Sequence, residues 1–125
     1  MKKPVQTDKA PKPIGPYAQA ITENGFVFVS GQGAINPSTG QIERGDARSE
    51  TRRVFENLKT ILEAAGSSLG QVVKCNVYLR DINDFQAMNE VYATYFQPPF
   101  PARTTIQAGA LPAGIAVEIE CIARV

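Results

Sequence analysis

The chain of 125 residues contains no histidine. That absence excludes a Ser-His-Asp triad, a Cys-His pair and any histidine-based metal site. Cysteine is scarce, with only Cys75 and Cys121, and both fall inside apolar, strand-like runs. Two buried, reduced thiols are expected there, not a disulfide. An excess of charge of either sign is also missing: 13 basic and 12 acidic residues leave a net charge of +1. A nucleic-acid or anionic-membrane surface normally needs clustered positive charge, so neither partner is expected. No apolar run approaches transmembrane length. Met1-Lys2-Lys3 resembles the start of a signal peptide, but Pro4-Val5-Gln6-Thr7-Asp8 follows where an apolar stretch would be required. A cytoplasmic location is the resulting expectation.

What is present suits one domain with one core over 1–125. Residues 1–13 are polar and punctuated by Pro4, Pro11 and Pro13, and read as an extended arm. A first strand is expected over Tyr17–Ile21. Asn24-Gly25 signals a tight hairpin into a second strand beginning Phe26-Val27-Phe28-Val29-Ser30. Val54, Phe55, Leu58, Ile61, Leu62 and Ala65 recur at helical spacing, so a helix is expected from Asp46 as N-cap to about Ala65. A strand over 71–79 follows, with Val73, Cys75, Val77 and Leu79 alternating against Val72, Lys74, Asn76 and Tyr78. A second helix begins near Asp84, with Phe85, Met88, Tyr92 and Phe96 as its core stripe, and Pro98-Pro99 ends it. Two strands close the chain, over about 102–108 and 115–124. The order is ββαβαββ, an α/β domain with a mixed sheet and two helices on one face. Several strands are apolar on both faces, Phe26 to Val29 most plainly. Two helices cover one face only, so a second copy of the chain is expected to cover the other.

Charge within the last two strands carries the chemistry. Phe100-Pro101-Ala102-Arg103-Thr104-Thr105-Ile106 holds one arginine in an otherwise uncharged segment, and Ile115-Ala116-Val117-Glu118-Ile119-Glu120 holds two acids. Burying an unpaired charge is costly, so each wants a partner. The guanidinium is a planar fork that fits a carboxylate. The segments together suggest a pocket that reads a small carboxylic acid and performs acid/base work beside it. A purely structural ion pair between Arg103 and Glu118 or Glu120 is the alternative. Glu118 and Glu120 share one strand face, so alternation does not separate them.

Ile14-Gly15-Pro16-Tyr17, Val29-Ser30-Gly31-Gln32, Asn36-Pro37-x-Thr39-Gly40, Asn57-Leu58, Leu62-Glu63-Ala64-Ala65-Gly66, Asp81-Ile82-Asn83-Asp84-Phe85 with Asn89 and Tyr92, Phe100-Pro101-Ala102-Arg103 and Val117-Glu118-Ile119-Glu120 run through nearly the whole chain. In this order and spacing they resemble the Rid (reactive intermediate deaminase), or YjgF-like, family. The resemblance implies a chorismate-mutase-like fold and a homotrimer with sites between subunits. It implies hydrolysis of 2-imino acids, or their 2-enamino tautomers, to 2-keto acids and ammonia, with no cofactor and no metal. Such substrates are released by pyridoxal-phosphate-dependent dehydratases. Arg103 then matches the substrate-carboxylate clamp, and Glu118 the acid near the attacking water. Tyr17, Ser30, Gly31, Asn89 and Thr105 match substrate-binding positions. Many members carry cysteine where this chain has Thr105, so thiol chemistry at that position is not expected here. Two other readings follow from the same residues. One is a protein that binds a keto acid without turnover. The other is an RNA-directed ribonuclease or translation inhibitor, which the charge balance and the missing histidine oppose.

Overall fold

The computed structural model describes residues 1–125. Eight main elements follow one another: β1 Lys3–Val5, β2 Ala20–Glu23, β3 Phe26–Gln32, α1 Ala47–Ala64, β4 Val72–Leu79, α2 Phe85–Tyr95, β5 Ala102–Gln107 and β6 Val117–Arg124. The expected order holds from β2 onward, and β1 is an additional strand within the proline-punctuated arm.

The strands form one sheet in the order β1-β2-β3-β6-β4-β5. All neighbours are antiparallel except β4 and β5, which α2 connects as a parallel crossover. β3 and β4 both run antiparallel to β6, so they are parallel to one another, and α1 is the crossover between them. Long crossovers of this kind place their helices on a sheet face. Both helices pack on the same face, and the residue alternation records it. Val27 and Val29 of β3, Cys75, Val77 and Leu79 of β4, and Val117, Ile119, Cys121 and Ala123 of β6 are buried under the helices. Phe28, with Asn76, Tyr78, Glu118, Glu120 and Ile122, belongs to the opposite face.

Local chemistry explains the elements. Asp46 accepts a hydrogen bond from the Ser49 backbone N–H at 2.9 Å, capping α1 as expected. The inward stripe of α1 buries Val54, Phe55, Leu58, Ile61 and Leu62. Each such side chain contributes about 1.5–3 kcal/mol on leaving water. Asn24 and Gly25 take φ of 55° and 81°, the two left-handed positions that a tight two-residue hairpin requires. The strand expected from Tyr17 instead begins at Ala20, because Gln19 is committed to the arm. Its buried amide accepts from Thr7 N–H at 2.8 Å and donates to Pro11 C=O at 2.9 Å. In β4 the expected alternation breaks at its start. A bulge between Val72 and Lys74 turns Val72 inward and leaves Val73 exposed. The two thiols are free and buried, and burial pushes Cys75 up to about 11 and Cys121 higher still.

Candidate active site

Arg103 lies on β5, an edge strand, in register with Cys75 of β4. Cys75 faces the helices, so Arg103 does too, and it meets α2. Its Nη1 donates to Asn89 Oδ1 at 2.7 Å. Its guanidinium carbon sits 4.7 Å from the ring centre of Tyr92 and 5.4 Å from that of Phe85. Residues 85, 89 and 92 are spaced to share one helix face. The three ion pairs of the chain join the N-terminus to Glu23, Arg48 to Glu90 and Arg53 to Glu43. Arg103 is in none of them. It is a half-buried cation held only by neutral groups, beside a cleft of about 490 Å³ lined by Asn89, Tyr92, Ala93, Phe100, Pro101 and Arg103. The structural ion pair with Glu118 or Glu120 is therefore not formed within the chain.

Thr105 is two residues further along β5, its hydroxyl buried without a hydrogen-bond partner. Its backbone is more telling. The Ala108 N–H donates to Leu79 C=O of β4, so residues of the same parity turn their backbone groups toward β4. The N–H and C=O of Arg103 and Thr105 then point to the open edge, beside the guanidinium. Asn89 differs from the expected substrate contact in one respect: its side-chain carbonyl is already taken by Arg103.

The second half of the candidate site is on the other face. Glu118 is in register with Tyr78 and points away from the helices. Between Val29 and Gln32 the β3–β6 register slips by one residue, so Ser30 and Gly31 together oppose Glu120. Such bulges re-aim side chains and are frequent beside active sites. At Gly31 the Glu118 carboxylate comes so close that an added Cβ would sit 2.5 Å from its Oε2. Glycine is thus required for the approach of the carboxylate, not for a turn. Ser30 donates from its hydroxyl to Ala18 C=O at 2.6 Å, which ties the segment after Tyr17 alongside this bulge. Tyr17 itself is half exposed, and its hydroxyl accepts from the Ile14 N–H at 3.4 Å.

The structure separates the two acids that alternation leaves equivalent. Glu120 accepts from the Tyr78 hydroxyl at 3.0 Å and from the Asn76 amide at 3.4 Å. Glu118 accepts no hydrogen bond from the chain. Burial, and then the nearby Glu120 charge, hold its carboxyl above the usual carboxylate range. A carboxylate of this kind is a proton acceptor that still needs a partner.

Ser30, Gly31 and Glu118 are thus brought together on one sheet face. Arg103, Asn89 and Thr105 are brought together by the other face and its edge. Phe85 and Tyr92, expected in the core alone, both face Arg103. Tyr92 is buried, but Phe85 is 38% exposed. The spacing of Phe85, Asn89 and Tyr92 was the available signal, and it required knowing that Arg103 lay opposite.

A six-stranded mixed sheet with two helices on one face and a neutrally held edge arginine defines a YjgF-like α/β domain with a cleft suited to a small anion. The chain belongs to the family described as endoribonuclease L-PSP, whose pattern matches residues 7–125, and its relatives carry RutC and Rid names. A RutC family protein of Pyrococcus horikoshii is 54% identical over 98% of both chains. A 2-iminobutanoate/2-iminopropanoate deaminase of Mus musculus is 46% identical over 98% of this chain and 91% of its own length. The crystal structure of a Rid-family protein from Yersinia pestis superposes with a TM-score of 0.97, at 43% identity and full coverage of both chains.

Proposed function

We propose that this protein is a hydrolytic deaminase that converts 2-imino acids, or their 2-enamino tautomers, to 2-keto acids and ammonia. The observation that carries the reading is Arg103, a half-buried cation whose holders are all neutral, leaving its charge and outer N–H donors for an incoming carboxylate. The name of the mouse relative agrees with it. A protonated C=N is already electrophilic, so positioning and proton transfer suffice. The Arg103 fork and the Thr105 N–H hold the substrate carboxylate. Water attacks the imine carbon while Glu118 accepts its proton, and a carbinolamine forms. The proton then passes from Glu118 to nitrogen, the C–N bond breaks, and ammonia leaves as the C=O forms and the hydroxyl proton returns to the Glu118 carboxylate.

Arg103 and Glu118 face opposite sides of one sheet, so one chain does not present both to one small molecule. The proposed site pairs the Arg103 side of one subunit with the Glu118 side of another, in a homotrimer. The exposed Phe28 and Ile106 supply apolar surface for such packing. Light scattering should give about three times the 13.5 kDa chain mass. A monomer at micromolar concentration would sink the shared site. The proposed setting is cytoplasmic, downstream of pyridoxal-phosphate-dependent enzymes that release such imines.

The direct test generates 2-iminopropanoate and 2-iminobutanoate in situ with an amino-acid oxidase and follows their decay. Ammonia release above the spontaneous rate supports catalysis. Binding of the keto acid without that acceleration would make the protein a carboxylate-binding module instead. The bulge offers a second test. Gly31→Ala should push the Glu118 carboxylate aside rather than unfold the chain, since the group in the way is the end of a flexible side chain. Misplacement on the order of 1 Å costs about 10²-fold in rate. Thermal melting should hardly move, and a full-rate Gly31→Ala enzyme would remove Glu118 from the reaction.

A further inference from the structure

A cation awaiting a carboxylate raises a physical problem. An arginine side chain is long and rotamer-rich, and an internal acid that fixed it would also neutralise it. The three groups that α2 presents to Arg103 are an amide and two aromatic rings. Ring faces attract a guanidinium through their quadrupole and leave its net charge in place. Tyr92 is buried, its ring packed edge-on against Phe55 with centroids 5.6 Å apart, and its hydroxyl lies beside the Cys75 thiol. The ring is the part of Tyr92 that meets Arg103. Phe85 is 38% exposed at the start of α2, outside the buried core cluster. A large aromatic in that place contributes little to the core, and its contact with Arg103 accounts for it.

We propose that Phe85 and Tyr92 are positioning residues that hold the Arg103 guanidinium between α2 and β5 without neutralising it, so that its fork is already oriented when the substrate carboxylate arrives. The proposal deepens the deaminase reading and rests on it for the identity of the ligand. The holder itself is a property of the ligand-free protein. Asn89 completes it by accepting from Nη1, which orients the guanidinium plane and leaves the other N–H donors outward.

Two measurements test it. The first is NMR of the Arg103 Nε–Hε group in ligand-free protein, assigned by its loss in Arg103→Lys. In the wild type this signal should be sharp and shifted by the ring currents. In Phe85→Leu it should collapse toward the averaged position of solvent-exposed arginines, with the melting temperature and assembly mass unchanged. The second is calorimetric binding of 2-oxobutanoate, the keto-acid product. Phe85→Leu should weaken it roughly 3–10-fold, the range expected for losing one cation–π contact. Phe85→Tyr should restore it, because the ring is what matters, and Tyr92→Phe should bind as the wild type does. Asn89→Asp separates holding from neutrality: it should sharpen the Arg103 signal further and yet weaken 2-oxobutanoate binding more than tenfold, because an internal carboxylate now occupies the fork. An Arg103 signal that is already averaged in the wild type, or unchanged in Phe85→Leu, overturns the proposal. If the signal behaves as expected but 2-oxobutanoate fails to bind the wild type, the holder stands and the keto-acid reading of the site falls.

Discussion

Arg103→Ala should severely impair deamination while fold and assembly persist. The side chain sits on an edge strand, its one hydrogen bond within the chain is to Asn89, and none of the chain's ion pairs includes it. Removing it therefore leaves no buried charge without a partner. Losing a charged hydrogen-bonding partner of the substrate costs about 2–4 kcal/mol of transition-state stabilisation. That corresponds to a fall in kcat/KM of roughly 30- to 1,000-fold. Arg103→Lys should also be poor. An ammonium is a point charge that does not reproduce the fork, and it stacks less well against Phe85 and Tyr92. Steady-state deamination of one imino acid checks both variants, with circular dichroism and light scattering as controls. Near-normal turnover by Arg103→Ala would show that the carboxylate is read elsewhere.

The second large effect separates the acids on β6. Glu118→Gln should lower kcat about 10²-fold with little change in keto-acid binding, because an amide of the same shape does not accept the proton of the attacking water. Glu120→Gln should leave kcat within a few-fold of wild type. Glu120 is occupied by Tyr78 and Asn76, so its loss is expected to register in assembly stability. The pH profile carries a sign that follows from the environment of Glu118. In the proposed reaction it acts as the carboxylate, and burial and Glu120 favour the protonated form. Wild-type activity should therefore fall as pH drops through a value above the ordinary carboxylate range, and Glu118→Gln should lack that limb. Reversed effects for the two glutamines would exchange their roles.

The two variants also combine into a test of the shared site. Arg103→Ala and Glu118→Gln subunits, each strongly impaired alone, should regain activity when refolded together. Random assembly gives about a quarter of the sites an intact Arg103 from one subunit and an intact Glu118 from the next. No regain in verified mixed assemblies would place both residues in one chain's own site and contradict the face assignment.

Much of this architecture is readable in the chain itself. The α1 stripe from Val54 to Leu62, the Asp46 cap and the Asn24-Gly25 hairpin are local features, set by interactions within a few residues. The apolar character of both faces of β3 fits a sheet that buries Val27 and Val29 and leaves Phe26 and Phe28 exposed. The lone arginine in an uncharged strand marked a cation that the structure holds with neutral groups beside a cleft. The added strand at Lys3–Val5 was not legible, because it is held by pairing with β2 and by the buried Gln19 amide rather than by its own pattern. The bulges at Ser30–Gly31 and at Val73 were not legible either, because a register slip is a property of two strands at once.

The candidate site residues could be named from the chain alone, but the side of the sheet on which each one stands is set by strand pairing. Alternation relates residues within a strand, so Glu118 and Glu120 could be placed together but not relative to Arg103. That relation depends on β4, which pairs with β5 through Cys75 and Arg103 and with β6 through Tyr78 and Glu118. Cys75 and Tyr78 are three residues apart in a strand of period two, so their partners face opposite ways.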